Sequence, residues 1–470
     1  MGLQFFPRGG SAHVAGNLAA ALPDAGWDVR LLSGSVRIPG RPGDALAFYR
    51  GLDVHPVDMT AALAAPDPML ADPPLHPSYE DRPGAADRIF CSLDDATFEH
   101  HAAAWARALH GAGAAGFDLL HLHHLTPLHE AAARVAADVP VVGHLHGTEL
   151  LMLDLAAEDP GRWPHAGAWL ERMRRCAHGC RRLIVHSDSQ VPRAERLLGV
   201  DPGRCVRIPN GFDPETFRVF DDEGAARRPV ASSRLRRRRF WRRHLVEDPQ
   251  GWAPGQEAGS VRYEEPDLDA FGDGNPVLLY VGRFTEVKRL PLLIEAYAQA
   301  LGGLARRAPL VILGGFPGEW EGEHPLDTIR RTGARDVFLA GWHGHDELPA
   351  FFAAADAVVL PSVREQFGQV LVEGMACGLP AIAVDAHGPA EIVEHGRTGW
   401  LVAPDDVAGL AGALVEAVNR PGERLRRGAE ARDDVRGRYA WPALAAEVAA
   451  VYDEVAGSAA APRQDSSIAP

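Results

Sequence analysis

A buried strand and the start of a helix follow one another at residues 277–289, Val-Leu-Leu-Tyr-Val-Gly-Arg-Phe-Thr-Glu-Val-Lys-Arg. The apolar and aromatic run that opens this stretch is typical of a strand covered on both faces, as in a parallel sheet. Gly282 and Arg283 come directly after the run, and Lys288 follows at the predicted helix start. Parallel sheets bind ligands beyond the carboxyl ends of their strands, and helix N-termini favour anions. The stretch therefore predicts an α/β domain with an anion site.

The same alternation of apolar runs and helical patterns extends along most of the 470 residues and predicts two doubly wound α/β domains. In the N-terminal half, strands are predicted at residues 3–6, 28–33, 118–122, 140–145, 182–186 and 205–208. In the C-terminal half, further strands are predicted at residues 310–313, 337–340, 357–360, 381–384 and 400–402. Residues 38–90 are rich in Pro and Asp and are interpreted as long loops.

The domain boundaries are placed where the alternation stops and resumes. We predict a Rossmann-like domain over residues 1–214, a linker or insert over 215–275, and a second Rossmann-like domain over 276–442. A last helix over residues 443–456 and a disordered tail over 457–470 complete the prediction.

Composition excludes several classes of protein. Hydrophobic residues make up 46% of the chain and charged residues 24%, which is typical of a globular enzyme. The formal net charge of −15 disfavours nonspecific nucleic-acid binding. No apolar run is long enough to span a membrane, and no signal-peptide pattern is present, so we expect a cytoplasmic protein. Neither a disulfide framework nor a zinc-knuckle pattern is formed by the cysteines, which are Cys91, Cys176, Cys180, Cys205 and Cys377.

Lysine occurs once in the chain, at Lys288, and the other basic side chains are arginine or histidine. GC-rich codon usage explains such a bias, and a position that remains lysine is then a candidate for chemistry that needs a compact ammonium group. Arg283 and Lys288 together suit a diphosphate. The alternative is a solvated helix start with two surface cations.

Two carboxylates flank the run at residues 365–373, Glu-Gln-Phe-Gly-Gln-Val-Leu-Val-Glu. On one helix they would lie about 12 Å apart along the axis, beyond the roughly 5 to 9.5 Å of a glycosidase pair. We therefore place Glu365 in a loop, where it reaches sugar hydroxyls, and Glu373 in the second turn of a helix, where it bonds ribose. Phe367, Gly368 and Gln369 then offer backbone N–H groups at the helix start. The alternative is an amphipathic surface helix with two incidental glutamates.

Two features of the N-terminal half follow predicted strands. Gly9 and Gly10 come after the first strand, where bare backbone can approach a phosphate, and a plain tight turn is the alternative. They do not form the G-x-G-x-x-G dinucleotide fingerprint. His146 and Glu149 follow the strand at residues 140–145. At such a strand end, His146 can contact a donor sugar or an acceptor, and Glu149 can bond an acceptor hydroxyl. The alternative is that His146 is a structural histidine.

Four histidines lie close together in the sequence, which is one feature of a metal site. They are His121, His123, His124 and His129. His121 and His123 share one face of a predicted strand, which is a poor chelating geometry, and no metal site is predicted.

Seven arginines occur between Arg234 and Arg243, together with Phe240 and Trp241. A solvated face or loop is the usual meaning of such a run. Peripheral contact with anionic lipid, or binding of a phosphorylated acceptor, is the alternative.

Taken together, these residues resemble the family 4 retaining glycosyltransferases of GT-B fold. The matching elements are Gly9-Gly10, His146-Gly147-Thr148, Pro209-Asn210-Gly211-Phe212-Asp213 with Phe217, Gly282-Arg283 with Lys288, Glu365 and Glu373 around Phe367-Gly368, and Gly388-Pro389-Ala390-Glu391-Ile392-Val393 with Gly396-Arg397-Thr398-Gly399. The resemblance covers most of residues 1–217 and 276–455. It implies two Rossmann-like domains facing across a cleft, the first binding the acceptor and the second the nucleotide sugar.

The resemblance also implies the reaction. A hexosyl unit would move from a nucleotide-diphosphate sugar to a hydroxyl of a small molecule, glycan or lipid-linked acceptor, without metal or other cofactor. Retention is explained in this family by front-face attack, in which the leaving phosphate takes the acceptor proton. The implied catalytic residues are His146, Arg283, Lys288 and Glu365. The donor-binding residues are Gly9, Gly10, Gly282, Arg283, Lys288, Phe367, Gly368, Gln369 and Glu373, and the acceptor-binding residues are Glu149 and Asn210.

Two other functions fit the same sequence features. One is another sugar-nucleotide enzyme of this architecture, such as a 2-epimerase or a phosphorylase. The other is a non-catalytic, nucleotide-sugar-binding partner subunit, which the presence of Arg283, Lys288, Glu365 and Glu373 together disfavours. The insert over 215–275 is longer than the usual interdomain link, and with the loops over 38–90 it leaves the acceptor unassigned.

Overall fold

The computed structural model describes residues 1–7, 9–38, 43–81, 85–219, 234–250, 261–272, 274–315 and 320–460. It divides into two compact units, each built around a parallel sheet. The first unit consists of residues 1–210 together with the chain from Trp441 onwards, and the second of residues 211–440. The predicted α/β class with two doubly wound parallel sheets is confirmed.

The first unit contains a parallel sheet with the strand order β3-β2-β1-β4-β5-β6-β7. Its strands are β1 (Gly2–Leu3), β2 (Arg30–Ser35), β3 (Asp53–Asp58), β4 (Leu120–His123), β5 (Val141–His144), β6 (Arg182–Val185) and β7 (Cys205–Arg207). Its helices are α1 (Gly10–Ala21), α2 (Ala45–Phe48), α3 (Asp95–Gly111), α4 (Pro127–Val135), α5 (Thr148–Glu158), α6 (Ala166–Gly179), α7 (Gln190–Leu198) and α16 (Trp441–Ala460).

The second unit contains a parallel sheet with the strand order β10-β9-β8-β11-β12-β13. Its strands are β8 (Leu278–Gly282), β9 (Leu310–Gly314), β10 (Val337–Gly341), β11 (Ala357–Leu360), β12 (Ala381–Val384) and β13 (Gly399–Val402). Its helices are α8 (Arg234–Arg242), α9 (Leu290–Ala300), α10 (Pro325–Thr332), α11 (Leu348–Ala353), α12 (Gln369–Ala376), α13 (His387–Ile392), α14 (Val407–Asn419) and α15 (Pro421–Arg438).

Each sheet has a point at which the strand order reverses. In the second unit the chain runs outward from β8 through β9 and β10, then returns to place β11 on the other side of β8. In the first unit it runs from β1 through β2 and β3, then returns to place β4 beside β1. The loops that leave the two strands at such a point diverge and open a crevice, which is the usual ligand site of a doubly wound sheet.

The prediction of long loops over residues 38–90 is wrong in part, because α2 and β3 lie within it. β3 has the sequence Asp-Val-His-Pro-Val-Asp and lies at the edge of its sheet, where, among the described strands, it pairs with β2 alone. Pro56 has no N–H group, which an edge strand tolerates and a central strand does not. The proline and the exposed acidic ends hide the strand pattern in the sequence.

The insert predicted over residues 215–275 is, in its described parts, packed onto the second unit. Trp241 and Leu245 are buried in the core of that unit, and Arg237 forms an ion pair with Asp356 at the start of β11. Arg238 pairs with Asp269, and Arg242 pairs with Glu265. The run is therefore not a loop, because an apolar stripe anchors it as a helix, whereas the solvated face that is the other form of this interpretation fits Arg239, Arg242 and Arg243, which are exposed. Residues 220–233 and 251–260, and the side chains of Arg234 and Arg236, lie outside the described residues.

The C-terminal helix belongs to the first unit. The predicted helix over 443–456 runs as α16 from Trp441 to Ala460, so the tail predicted as disordered from 457 begins as helix, and residues 461–470 lie outside the described residues. Leu444, Val448 and Tyr452 pack with Val142 and Ile184 of the sheet. Among the described residues, no helix is both long enough and apolar enough to cross a bilayer.

Candidate active site

Lys288 and Glu365 meet at the reversal point of the second sheet. Lys288 closes a 3-10 turn after β8, and Glu365 lies in the loop between β11 and α12, as predicted. The Nζ atom of Lys288 donates a hydrogen bond to Oε2 of Glu365, and each side chain is 18% exposed. The two loops are also joined through the carbonyl of Val287, which accepts hydrogen bonds of 3.1 Å from the Val363 amide and the Ser362 hydroxyl. A single lysine and a loop carboxylate thus form one polar pair at the crevice.

Glu373 is the centre of a second polar group beside this pair. It lies in the second turn of α12, as predicted, and is 2% exposed. Its Oε1 atom accepts hydrogen bonds from Nε2 of His345 at 2.8 Å and from Nε2 of Gln369 at 2.9 Å. Burial favours the neutral form of His345, but the hydrogen bond and charge of Glu373 outweigh it and raise the pKa of His345. Glu373 is thus held in one orientation by two side chains, one of which is cationic when protonated.

His345 is a site residue that the sequence reasoning missed. It follows the carboxyl end of β10, and the rule that placed Arg283 beyond β8 applies equally there. Its signal is weak because a single histidine after a strand is common. Only the fold brings it next to Glu373.

Glycines shape the strand ends around Arg283. The hydroxyl of buried Tyr280 donates a 2.9 Å hydrogen bond to the carbonyl of Arg283 and fixes the backbone beyond β8. Gly314, at the end of β9, has φ of 129°, and a Cβ there would lie 1.9 Å from the carbonyl oxygen of Gly282. The two strand ends therefore approach more closely than any larger residue allows at Gly314.

The loop that carries Glu365 packs against the start of α13. A Cβ at Gly388 would lie 2.1 Å from the carbonyl oxygen of Phe367, and the Gly388 amide donates a 3.2 Å hydrogen bond to the carbonyl of Glu365. Phe367 is buried and packs on Tyr439. Gly368, with φ of 109°, then starts α12 without a side-chain cap. The backbone of residues 365–368 is thus held by packing in the position from which α12 begins.

Gly9 and Gly10 lie at the reversal point of the first sheet, at the start of α1. Both are exposed, and a Cβ built at either would meet no atom of the described residues within 4 Å. Gly9 has φ of −140°, which other residues adopt as easily. Neither packing nor backbone conformation within this unit explains the two glycines, which favours the interpretation that a ligand approaches them. Arg8 lies outside the described residues.

His146 is surrounded by other imidazoles. Its Nε2 atom lies 2.9 Å from Nδ1 of His123, and its Nδ1 atom lies 3.2 Å from Nε2 of His186. Burial, together with neighbouring His124 and His186, lowers the pKa of His146 well below its usual value, so the ring is neutral near pH 7. Both ring nitrogens are therefore engaged within the unit, and His146 presents a fixed neutral ring.

Glu149 lies in the first turn of α5, after β5. It is 0% exposed, its Oε1 accepts a 3.1 Å hydrogen bond from the His146 amide, and its Oε2 lies 3.5 Å from Nδ1 of His124. Its carboxylate therefore holds the backbone of His146 and lies beside His124, and the contact of Glu149 with an acceptor stays a prediction. Asn210 is half-buried, and its Oδ1 atom is buried without a hydrogen-bond partner in the described residues.

Two trios of histidines in the first unit have ring nitrogens close enough to share a metal ion. They are His121, His123 and His144, and His144, His146 and His186.

Comparison with solved structures identifies the fold. Sucrose-phosphate synthase (tll1590) from Thermosynechococcus elongatus superposes with a TM-score of 0.64 at 20% identity, covering 97% of this chain and 96% of that one. HepE of Anabaena, in complex with UDP and glucose, superposes with a TM-score of 0.63 at 18% identity, covering 96% and 97%. Identities this low show the fold alone, which is GT-B, as predicted.

Comparison with sequence families gives the class of enzyme. The model described as "Glycosyl transferases group 1" matches residues 264–434, and that described as "Glycosyltransferase Family 4" matches residues 8–216. D-inositol 3-phosphate glycosyltransferase 2 of Catenulispora acidiphila is 31% identical over 343 residues, 72% of this chain and 70% of the relative. Glycogen synthase of Mycobacterium tuberculosis is 29% identical over 439 residues, 86% of this chain and 90% of the relative. The chain therefore belongs to the family 4 glycosyltransferases.

Proposed function

We propose that this glycosyltransferase transfers a hexosyl unit from a nucleotide-diphosphate sugar to a hydroxyl acceptor, with retention of the anomeric configuration. The observation that carries the proposal is the Lys288–Glu365 pair at the reversal point of the second sheet. The pair sets a cation for the diphosphate beside a carboxylate for the sugar at the place where doubly wound sheets bind ligands.

The donor diphosphate is bound by Arg283 and Lys288. Lys288 has a single anionic neighbour within hydrogen-bond distance among the described residues, Glu365, and a diphosphate brings more charge than one carboxylate. When the donor binds, Lys288 shares its donors between the phosphate and Glu365, and the freed oxygens of Glu365 accept from sugar hydroxyls. The cations also stabilise the charge that develops on the leaving diphosphate.

The ribose is held by Glu373. His345 and Gln369 both donate to Oε1, and no hydrogen bond within the described residues uses Oε2. Oε2 is therefore the acceptor for the ribose hydroxyls. Amide groups at the start of α12, at Gly368 and Gln369, face anionic oxygen atoms as helix N-termini do elsewhere.

The transfer step needs no protein base. The bond between the anomeric carbon and the phosphate oxygen breaks, the acceptor oxygen bonds the same face of that carbon, and the acceptor proton passes to the leaving phosphate oxygen. The positive charge that this oxygen needs nearby comes from Lys288 and Arg283 rather than from a catalytic metal ion. In the first unit, His146 with its neutral ring, Gly9-Gly10 and Asn210 remain the residues proposed to contact the donor or the acceptor.

The names of the relatives suggest which acceptor substrates to test first. These are D-inositol 3-phosphate and glycogen, so inositol phosphates and glucan oligosaccharides are the first acceptors to test.

The test is turnover by the purified chain. UDP-, GDP-, ADP- and TDP-sugars are incubated with each acceptor, with and without added Mg²⁺ or Mn²⁺, and the product is analysed by NMR. An α-linked product from an α-linked donor, at a rate that added metal does not change, is expected. An inverted anomeric centre contradicts retention, and a strict requirement for added metal contradicts the metal-free transfer. Conversion of donor alone indicates an epimerase, phosphate-dependent conversion a phosphorylase, and no turnover of any donor a binding subunit.

A further inference from the structure

Three buried histidines lie together on one face of the sheet in the first unit. His121 and His123 are two residues apart on β4 and share a face, and His144 of β5 is the direct register partner of His123. Each of the three is at most 2% exposed. Helix α16 covers this face, since Tyr452 contacts His121.

The ring nitrogens are close to the spacing that a metal ion requires. One nitrogen of each histidine lies within 4.8 Å of those of the other two. Tetrahedral coordination at about 2.0–2.1 Å places two nitrogens about 3.3 Å apart. Nε2 of His121 and Nδ1 of His144 are already 3.1 Å apart. The adjustment that an ion needs is therefore a rotation of imidazole rings, whose χ2 torsions are soft, rather than a movement of strands.

Two histidines of the trio have hydrogen-bond partners on their outer nitrogens, a tyrosine hydroxyl and an imidazole in place of the more usual carboxylate or carbonyl. Nδ1 of His121 is bonded to the hydroxyl of Tyr452, and Nδ1 of His123 lies 2.9 Å from Nε2 of His146. A hydrogen bond to the far nitrogen fixes the tautomer and the ring orientation of a metal ligand. These partners direct Nε2 of His121 and Nε2 of His123 towards the centre of the trio.

Two nitrogens of the trio lack the bond that burial demands. Nε2 of His123 and Nε2 of His144 are buried with no hydrogen-bond partner in the described part of the chain. Buried polar atoms are almost always bonded, so two exceptions in one cluster call for an explanation. An ion at the centre supplies it for Nε2 of His123; the nitrogen of His144 that lies near His121 is Nδ1, so an ion bound there leaves Nε2 of His144 without a partner in the described residues.

We propose that the first unit binds one divalent transition-metal ion of the zinc or cobalt type through His121, His123 and His144. Imidazole nitrogen suits these ions, and three histidines with a water molecule form a recognised zinc site. No metal site is predicted from the sequence because His121 and His123 share one strand, which is a poor chelating geometry. The third histidine, His144, comes from the neighbouring strand β5. This site goes beyond the proposed transfer reaction, in which the ion takes no part.

The test uses the full chain without an affinity tag, stripped with chelator and titrated with CoCl₂ and then ZnCl₂. One equivalent of Co²⁺ is expected, with the visible absorption of a four-coordinate ion that Zn²⁺ abolishes. His123→Asn and His144→Asn should each weaken binding by more than the roughly 10- to 100-fold that loss of an outer-shell partner costs. The matched control is His129→Asn, since His129 is a buried histidine of the same unit that belongs to neither trio.

The outcomes separate a metal site from a network of hydrogen-bonded imidazoles. No Co²⁺ spectrum from the wild-type chain, or equal affinity in all three variants, overturns the proposal. If a variant does not fold, X-ray absorption spectroscopy of the zinc-loaded wild type replaces the comparison of variants. Three imidazole nitrogens at about 2.0 Å from the zinc are expected. Sulfur ligands, or mainly carboxylate ligands, would contradict the site. Because none of these readouts uses donor turnover, failure here leaves the proposed function untouched.

Discussion

Lys288 and Glu365 neutralise one another across the loops that follow β8 and β11. The contact joins residues from two strands that are neighbours in the sheet but distant in the chain. Each side chain remains 18% exposed, so a ligand entering the crevice reaches both. Under the proposed function, the pair occupies the position that the charge of the donor takes when the donor binds.

Removal of the lysine should separate catalysis from folding. Lys288→Ala is expected to lower kcat/KM by about 10²–10³-fold, the usual cost of one group that stabilises a leaving charge, with an unchanged melting temperature. Arg289→Gln is the control, because Arg289 lies next in the chain but pairs with Asp405. The backbone at position 289 has a φ of 55°, which glutamine adopts about as readily as arginine. Steady-state kinetics should place the control within about twofold of wild type. Equal losses in both variants would indicate a disturbed loop instead.

Removal of the carboxylate should have two opposite effects. Glu365→Gln frees Lys288 from its anionic partner, so the free nucleoside diphosphate is expected to bind more tightly, by a few-fold to tenfold. The same change removes the acceptor for sugar hydroxyls, so turnover should fall. Calorimetric titration with the diphosphate measures the first effect and initial rates the second. Weaker diphosphate binding would show that Glu365 does not compete for Lys288.

Gly10→Ala should affect function without affecting stability. The added methyl group meets no atom of the described residues within 4 Å, so the melting temperature should stay constant or rise slightly. A ligand phosphate resting on this backbone would be displaced, and KM for the donor is expected to rise about tenfold, which is about 1.4 kcal/mol. Gly167→Ala, at the start of α6 and equally free of contacts, is the control. An unchanged KM would mean that Gly10 only forms a turn.

Gly388→Ala should displace the loop that carries Glu365, because Gly388 packs against the backbone of that loop. The added Cβ would overlap the backbone of Phe367, and the cost of such overpacking is about 1–3 kcal/mol. Thermal melting should show the lost stability, and turnover should fall because the same backbone carries Glu365. Gly412→Ala in α14, where no atom of the described residues lies within 4 Å of the added Cβ, should instead stabilise by about 0.5–1 kcal/mol. Similar melting temperatures for the two variants would contradict the close approach at Gly388.

His345 should make stability depend on pH in a defined direction. Burial disfavours its charge, but Glu373, with a smaller effect of Asp346, raises its pKa in the folded chain. The stabilisation is therefore fully present below the unfolded pKa of about 6.5 and is lost as pH rises through the folded pKa. The difference in melting temperature between wild type and His345→Gln should be larger at acidic than at alkaline pH. A difference in melting temperature that stays constant across this pH range would exclude the charged pair.

Local sequence pattern was sufficient for much of the fold. β11 and β12 have the predicted bounds, because short apolar runs between turn residues leave little choice. The crevice residues were found because strand ends can be recognised and the only lysine lies near one of them. Edge strand β3 was missed because Pro56 and exposed acids interrupt its pattern.

Long-range contacts account for what the sequence could not provide. His345 bonds Glu373 only because the loops after β10 and β11 meet, and His144 joins His123 only because their strands are neighbours. The assignment of α16 to the first unit depends on its packing with Val142 and Ile184. None of these pairings has a local signal in the chain.

The first unit is closed by its last helix, which makes the second unit a continuous insertion within the first. On the ribosome, residues 211–440 are therefore completed while the first unit still lacks α16. Val142 and Ile184 stay uncovered until Trp441, Leu444 and Val448 emerge. The second unit can finish folding as an uninterrupted segment, whereas the first becomes native only after α16 has been made, so its nascent form depends on protection from aggregation.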